Sequence, residues 1–173
     1  ILKIKDFNVS NNLQNCPKEL ITSNNSLLWD NSVYAFAPSS RPLFWIGNDE
    51  GINYYSYREK RIKRIVCEEP IKYVHGIYEE HDSILWISTV GTGIIRATIT
   101  GIPTEPKLTH IQRYTIDHGN FSSNYFFTMY ADEQGELYFG NRGYGTFRLK
   151  DGKLQPVSLI NNYSKKTAND VYA

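Results

Sequence analysis

The chain has little of what usually announces chemistry. It holds two cysteines, Cys16 and Cys67, far apart and without CxxC or Cys/His spacing, which argues against a zinc module and against a densely stapled disulfide scaffold. Two such residues could pair or stay free, and they leave the redox compartment open. Neither sign of charge dominates: 19 Lys and Arg face 18 Asp and Glu, a formal net charge of +1, so there is no electrostatic case for a nucleic-acid partner. The one basic run, "REKRIKR" at 58–64, alternates with Ile62 and reads as the solvated face of a strand. No apolar run approaches the ~20 residues of a membrane span, and no window sustains helical periodicity. The opening "ILKIKD" carries no Met, signal peptide or tag and suggests a piece of something longer.

Reactive sets are missing too. His75, His81, His110 and His118 share no metal-type spacing, and His75 reads as a core histidine. "DEQGE" at 132–136 starts like a calcium loop but lacks the later carboxylates, so it reads as a hairpin turn. "GTG" at 91–93 lacks the Lys-Ser/Thr pair of a phosphate loop. No Ser/His/Asp set or carboxylate pair stands out. The expectation is a non-enzymatic segment with no metal and no cofactor. Sequons at Asn8, Asn24, Asn120 and Asn162 matter only in a eukaryotic secretory context.

What is present is a repeat. The chain is 40% hydrophobic and 14% aromatic, enough for a real core. Trp45, Trp86 and Tyr138 each follow an apolar anchor (Val33, Val74, Phe126) by 12 residues. Ile46, Ile87 or Phe139 comes next, then Gly47, Ser88 or Gly140, then a polar turn closing on Gly51, Gly93 or Gly145. Asn31, Asn124 and Asn169 stand two residues before the anchor, where the second copy has Lys72; they are read as Asx-turn caps. "NDVYA" opens a fourth copy at Val171. At the other end "LKIKDFNV" aligns with "FRLKDGKL", placing Leu2, Ile4 and Asp6 with Phe147, Leu149 and Asp151, so the chain enters in a third strand, with Phe7 where the third copy has Gly152.

The period of 41 residues, then 52, with short strands and turns throughout, predicts four-stranded units in array. Aromatics at the second strand and first strands apolar on both faces predict sheets covered on both sides. The fold class expected is all-β, a partial β-propeller of four-stranded antiparallel blades: 1–28 the end of an incomplete blade and link, 29–70 a blade, 71–121 a blade with an extended hairpin, 122–166 a blade, and 167–173 the first strand of the next. Asp151-Gly152 predicts a two-residue turn with positive φ. The second copy is longer by 11 residues around "TITGIPTEPKLTH", which predicts a protruding hairpin with Pro103 and Pro106 in its tip.

The pattern Asn before "V-Y-A-I", a D-x-x-G-type turn, "L-W-I-G-T" and a glycine-closed strand resembles the two-component regulator propeller repeats in sensor regions of bacterial hybrid two-component proteins, especially from Bacteroides-type gut organisms. It is carried by "NSVYAF" with "LFWIGNDEGINYY", by "YVHGIYEEHDSILWISTVGTGIIR", by "NYFFTMYADEQGELYFGNRGYGTFRL" and by "NDVYA". Ser88 and the pair Tyr138-Phe139 depart from it. The resemblance implies a periplasmic sensor segment that recognises an oligosaccharide and relays the signal to a cytoplasmic histidine kinase outside the chain. Signalling requires a ligand to favour one arrangement over another, which predicts a homodimer in the parent protein, and the membrane is expected to be met only through downstream parts. The rival expectations are a protein-interaction scaffold, or a propeller lyase or glycosidase using Asp49, Glu50 and His75.

In such a fold the turns between second and third strands and the links into first strands crowd onto one face. Those segments carry Asn48, Asp49, Glu50, Thr89, Thr92, Asn141, Arg142 and Tyr144, with Trp29, Asp30, Tyr73 and Tyr125. An arginine for an acidic sugar and aromatic planes for its ring single out Arg142, Tyr144 and Trp29, and with Asp49 of the first turn these are the candidate ligand-binding residues.

Overall fold

The computed structural model describes residues 1–4, 18–117 and 121–157. Among them there is no helix. Strands β1 (Leu2–Ile4) and β2 (Lys18–Leu20) form an antiparallel pair. Sheet I contains β3 (Val33–Pro38), β4 (Leu43–Asn48), β5 (Gly51–Ser56) and β6 (Arg61–Arg64), in chain order and antiparallel. Then come β7 (Val66–Cys67), β8 (Val74–Glu80), β9 (Ile84–Thr89), β10 (Ile94–Ile102) and β11 (Glu105–Tyr114), which make sheet II. Sheet III is β12 (Phe126–Ala131), β13 (Leu137–Asn141), β14 (Gly145–Lys150) and β15 (Lys153–Pro156). Cys16, the Asp6-Phe7 turn, His118, Asn120, Asn162, Asn169 and the fourth copy at Val171 lie outside the described residues.

Sheet II is covered on both faces, as its apolar strands require, but β3 of sheet I leaves Tyr34 and Phe36 exposed and β12 of sheet III leaves Tyr130 exposed, so coverage on both sides does not extend to every sheet. Trp45, fully buried, packs with Val74, Leu85, Ile87 and Ile95 between sheets I and II. Trp86 packs with Phe126, Phe139 and Phe147 between sheets II and III. On the opposite face of sheet I, Ile46 and Ile62 meet Ile21 and Leu28, with Ile1 packed against them. Truncating an aromatic buried like Trp45 costs about 3–5 kcal/mol. The first strands draw together, β3 against β8 and β8 against β12.

That approach needs small residues. Ala35 pairs with Gly47, Gly76 with Ser88 and Thr128 with Gly140. A Cβ on Gly47 would stand 2.4 Å from Val74 Cγ1, and one on Gly76 would stand 2.5 Å from Ser88 Oγ and 3.3 Å from Met129 Cβ. The glycine absent at Ser88 has therefore moved across the ladder to Gly76.

Three features of the sheets differ from expectation. Sheet II gains β7, which pairs parallel to β11 through Val66–Lys107 and Cys67–Leu108. Pro106 is buried in β11 opposite Gly101, so the hairpin tip is Pro103-Thr104. The extension turns inward: Ile99 and Leu108 join the core between sheets I and II, and Tyr54 donates to the Thr104 carbonyl at 3.5 Å. The Asp151-Gly152 turn matches its expectation, with φ of 50° and 71°. Arg61 and Arg64 are exposed around buried Ile62, as an alternating strand face demands. Cys67 carries a free thiol whose pKa burial pushes up to about 11.

Away from the first-strand starts, the β3–β4 turn is locked onto sheet II. Glu79, its side chain 4% exposed, accepts hydrogen bonds from Ser39 Oγ at 2.5 Å, Ser40 N at 3.1 Å, Ser40 Oγ at 2.6 Å and Trp45 Nε1 at 2.6 Å, and pairs with Arg41 at 3.2 Å. Burial alone would raise its pKa, but these donors outweigh burial and hold it below the ordinary value of 4.5. A carboxyl depressed on folding adds stability above its unfolded pKa and loses it as pH falls through the lower folded value.

Two measurements check this packing. Gly76→Ala is expected to cost about 1–3 kcal/mol, and Ser88→Gly to recover most of that in the double variant; strictly additive urea-unfolding energies would contradict the exchanged pair. Glu79→Gln is expected to cost about 3 kcal/mol at pH 7, and the gap between variant and native chain to shrink as pH falls below 4.5. A gap independent of pH would refute the lock.

Candidate functional site

The three first strands share one irregularity. Val33 pairs with Asn48 but Ala35 with Gly47, Val74 with Thr89 but Gly76 with Ser88, and Phe126 with Asn141 but Thr128 with Gly140. Each strand thus holds one extra residue at the same level: Tyr34, His75 and Phe127. A bulge of this kind re-aims a side chain. The three rings meet across the sheets. Tyr34 stacks on His75 with centroids 4.2 Å apart and planes at 12°, and His75 meets Phe127 edge to face at 5.4 Å. Tyr34 is 50% exposed. Burial lowers the His75 pKa and the nearby Asp49 carboxylate opposes that shift, so the imidazole is neutral at pH 7.

The backbone around this row is laced from sheet to sheet. Tyr73 N donates to the Asp49 carbonyl at 2.8 Å and Val90 N to the Tyr73 carbonyl at 2.9 Å. Gly91 N donates to the Asn124 carbonyl at 3.1 Å, and Arg142 N to the Tyr125 carbonyl at 3.0 Å. The turns of sheets I, II and III and the links between them therefore form one rim. Tyr73 is held at φ 54°, a region costly for a bulky side chain.

The four candidates all lie on these turns and links. Asp49 accepts the Tyr34 hydroxyl at 3.4 Å and so joins the row. Trp29 lies over Gly51, its backbone N donating to Asn53 Oδ1 at 3.0 Å, and the Arg64 guanidinium stacks 3.8 Å from its ring centroid. Arg142 and Tyr144 occupy the β13–β14 turn, Tyr144 being 55% exposed. No hydrogen bond, ion pair or ring contact joins Arg142 or Tyr144 to Trp29 or Asp49 among the described residues. Of the other turn residues, Asn48 and Asn141 are buried and donate to Asn53 Oδ1 and the Ser123 carbonyl. Glu50 is paired with Lys72 at 2.7 Å, and the Thr89 and Thr92 hydroxyls bond each other at 2.7 Å.

The recurring asparagines brace the links by a different bond from the expected cap. Asn31 Oδ1 accepts from Ser23 N and Asn124 Oδ1 from Ile116 N, both at 2.9 Å and both eight residues back. The short turns belong to their predecessors: Asp30 accepts from Ser32 N at 2.6 Å and Ser123 Oγ from Tyr125 N at 3.2 Å. Sequence reasoning missed Tyr34 and Phe127 and took His75 for core. The available signal was an aromatic or imidazole ring directly after each apolar anchor.

Among the described residues, no group of three or more His, Cys, Asp or Glu side chains could hold a metal ion, and no helix is long and apolar enough to cross a membrane.

No protein-family model matches the chain, and no curated protein matches it by sequence. Solved structures match it by fold. The extracellular domain of BT4673 from B. thetaiotaomicron, named as a hybrid two-component system, matches with a TM-score of 0.62 at 17% identity, over 76% of this chain and 19% of that one. The extracellular domain of BT3049 from the same organism, named likewise, gives 0.60 at 19% identity over 76% and 19%. A further BT4673 domain structure, there named a one-component system, gives 0.57 at 19% identity over 84% and 20%. The chain spans about a fifth of the length of these structures. At such identities the likeness is one of architecture: this chain shares its stacked antiparallel-sheet fold with extracellular domains of hybrid two-component systems.

Proposed function

We propose that the chain is a non-enzymatic, ligand-sensing segment of the periplasmic sensor region of a hybrid two-component protein. In this reading sheets I to III are consecutive blades of a β-propeller. The rim recognises an oligosaccharide, and the signal passes to a cytoplasmic histidine kinase in the rest of the protein. The observation that carries it is the fold likeness to extracellular two-component domains over 76% of the chain, with the rim of turns and links as the binding face. Signalling requires that the ligand favour one arrangement of the parent protein over another, since equal affinity shifts nothing. A homodimer of the parent whose geometry changes on binding meets that requirement.

The enzyme alternative finds little support at the rim. Glu50 is ion-paired with Lys72, and His75 is packed between rings, whereas glycoside cleavage needs a second acid or base poised with Asp49 about the scissile bond. The scaffold alternative needs a protein partner and no sugar response.

Thermal unfolding with oligosaccharides, followed by chromatography of the sugar, separates the three. The expected result is a saturable rise in Tm, with about 2.7 kcal/mol of stabilisation at a hundredfold excess over Kd, and sugar recovered intact. Cleaved sugar would favour the enzyme. An unmoved Tm together with tight binding of a protein would favour the scaffold.

A further inference from the structure

We infer that sheets I and II form one rigid body and that sheet III is carried on a joint, which pivots at the rim and slides at its outer half. The inference needs no ligand and stands or falls apart from the sensor reading, which it supplies with a moving part.

The three sheets repeat one pairing pattern, so the two boundaries can be compared position by position. Between sheets I and II the key residue is Glu79, paired with Leu85 just before the Trp86 anchor. It accepts from Ser39, Ser40 and Trp45 of sheet I and is ion-paired with Arg41, and Arg41 also donates to the Asp82 carbonyl. The matching residue of sheet III is Ala131, paired with Leu137 just before Tyr138. No carboxylate stands there for sheet II to grip. Trp86 Nε1 donates instead to Glu80 of its own sheet at 2.8 Å, and Tyr138 and Arg148 turn to Glu136 of their own hairpin. The β8–β9 turn, which by position would engage sheet III as Ser39-Ser40-Arg41 engages sheet II, leaves the His81 side chain 88% exposed.

The outer strands differ in the same way. The long β10–β11 hairpin of sheet II lies against sheet I: Ile99 and Leu108 enter the shared core, Tyr54 donates to the Thr104 carbonyl, and Lys63 pairs with Glu105 at 3.2 Å. Only Ile65 separates β6 of sheet I from β7 of sheet II, so the chain itself stitches those edges together. In sheet III the corresponding hairpin closes at once on Asp151-Gly152. Among the described residues, no ion pair or side-chain hydrogen bond joins a strand of sheet II to a strand of sheet III.

What holds that second boundary is the rim and the apolar core. Gly91 N and Gly93 N both donate to the Asn124 carbonyl at 3.1 Å, which makes Asn124 the pivot. Behind it Trp86 packs among Phe126, Phe139 and Phe147. Apolar contact is non-directional, so it resists separation more than sliding, whereas hydrogen bonds weaken steeply when their angle is lost and so fix one placement. Small sliding of packed layers is an established mode of conformational change. Movement at this joint alters the contact of Phe127 with His75 and leaves Tyr34 stacked on His75.

Methyl relaxation dispersion on the whole chain tests the joint, because it reads microsecond-to-millisecond motion. The expected result is exchange broadening at Ile84, Met129 and Leu137, which line the boundary between sheets II and III, and none at Ile99 and Leu108, which line the other. Glu79→Gln is expected to bring broadening to Ile99 and Leu108 as well. Broadening at both boundaries of the native chain, at neither, or only between sheets I and II overturns the inference without touching the sensor reading. Since that comparison is made on the native chain, it decides the matter even if the variant fails to fold. A folded Glu79→Gln chain whose Ile99 and Leu108 stay sharp overturns the part given to Glu79.

Discussion

Everything else in the molecule depends on how closely the first strands approach one another. Val74 of sheet II seats against Gly47, and Met129 of sheet III faces Gly76. A methyl group at Gly47 would collide with Val74 of the next sheet, and one at Gly76 would collide with Ser88 Oγ of its own sheet and crowd Met129 Cβ at 3.3 Å. Because interiors pack at near-crystalline density, the spacing between sheets is set there, and the large aromatics farther out are sized to the gap that results. Trp45 fills it between sheets I and II, Trp86 and Phe139 between II and III. The cross-strand pairs Ala35/Gly47, Gly76/Ser88 and Thr128/Gly140 show that the constraint falls on the pair and not on either position alone.

The same approach produces the candidate site. One residue beyond the anchor, each first strand holds its extra residue, and only at this separation can a ring from one sheet stack on a ring from the next. The backbone bonds between turns and links keep that level common to all three sheets. Elsewhere, Glu79 ties the β3–β4 turn to sheet II with its cluster of donors. The row of rings crosses both boundaries between sheets, so its packing depends on their relative placement.

Strand order and sheet stacking were legible because they follow from local chemistry repeated at fixed spacing. The 12-residue offset from Val33, Val74 and Phe126 to the aromatic anchors set the first hairpin of each sheet, and Asp151-Gly152 announced its own turn. Register was not legible. The bulges exist only in the pairing of two strands, so the position after each anchor looked like ordinary alternation and His75 like core. Ser88 looked like a weakened copy because its partner Gly76 is 12 residues away in sequence. Pro106 suggested a turn, yet β11 accommodates it within the sheet, opposite Gly101. Trp29 offered an aromatic plane, and nothing near it in sequence announces that Arg64 stacks on that ring.

The central claim is that one ring from each sheet stands in a single row at the rim. Nuclear Overhauser contacts from the His75 ring protons in the folded chain test it most directly. The account predicts cross-peaks to both the Tyr34 and the Phe127 rings, as their centroid distances of 4.2 Å and 5.4 Å require. A folded chain in which His75 contacts neither ring would contradict the row, and with it the site built on it.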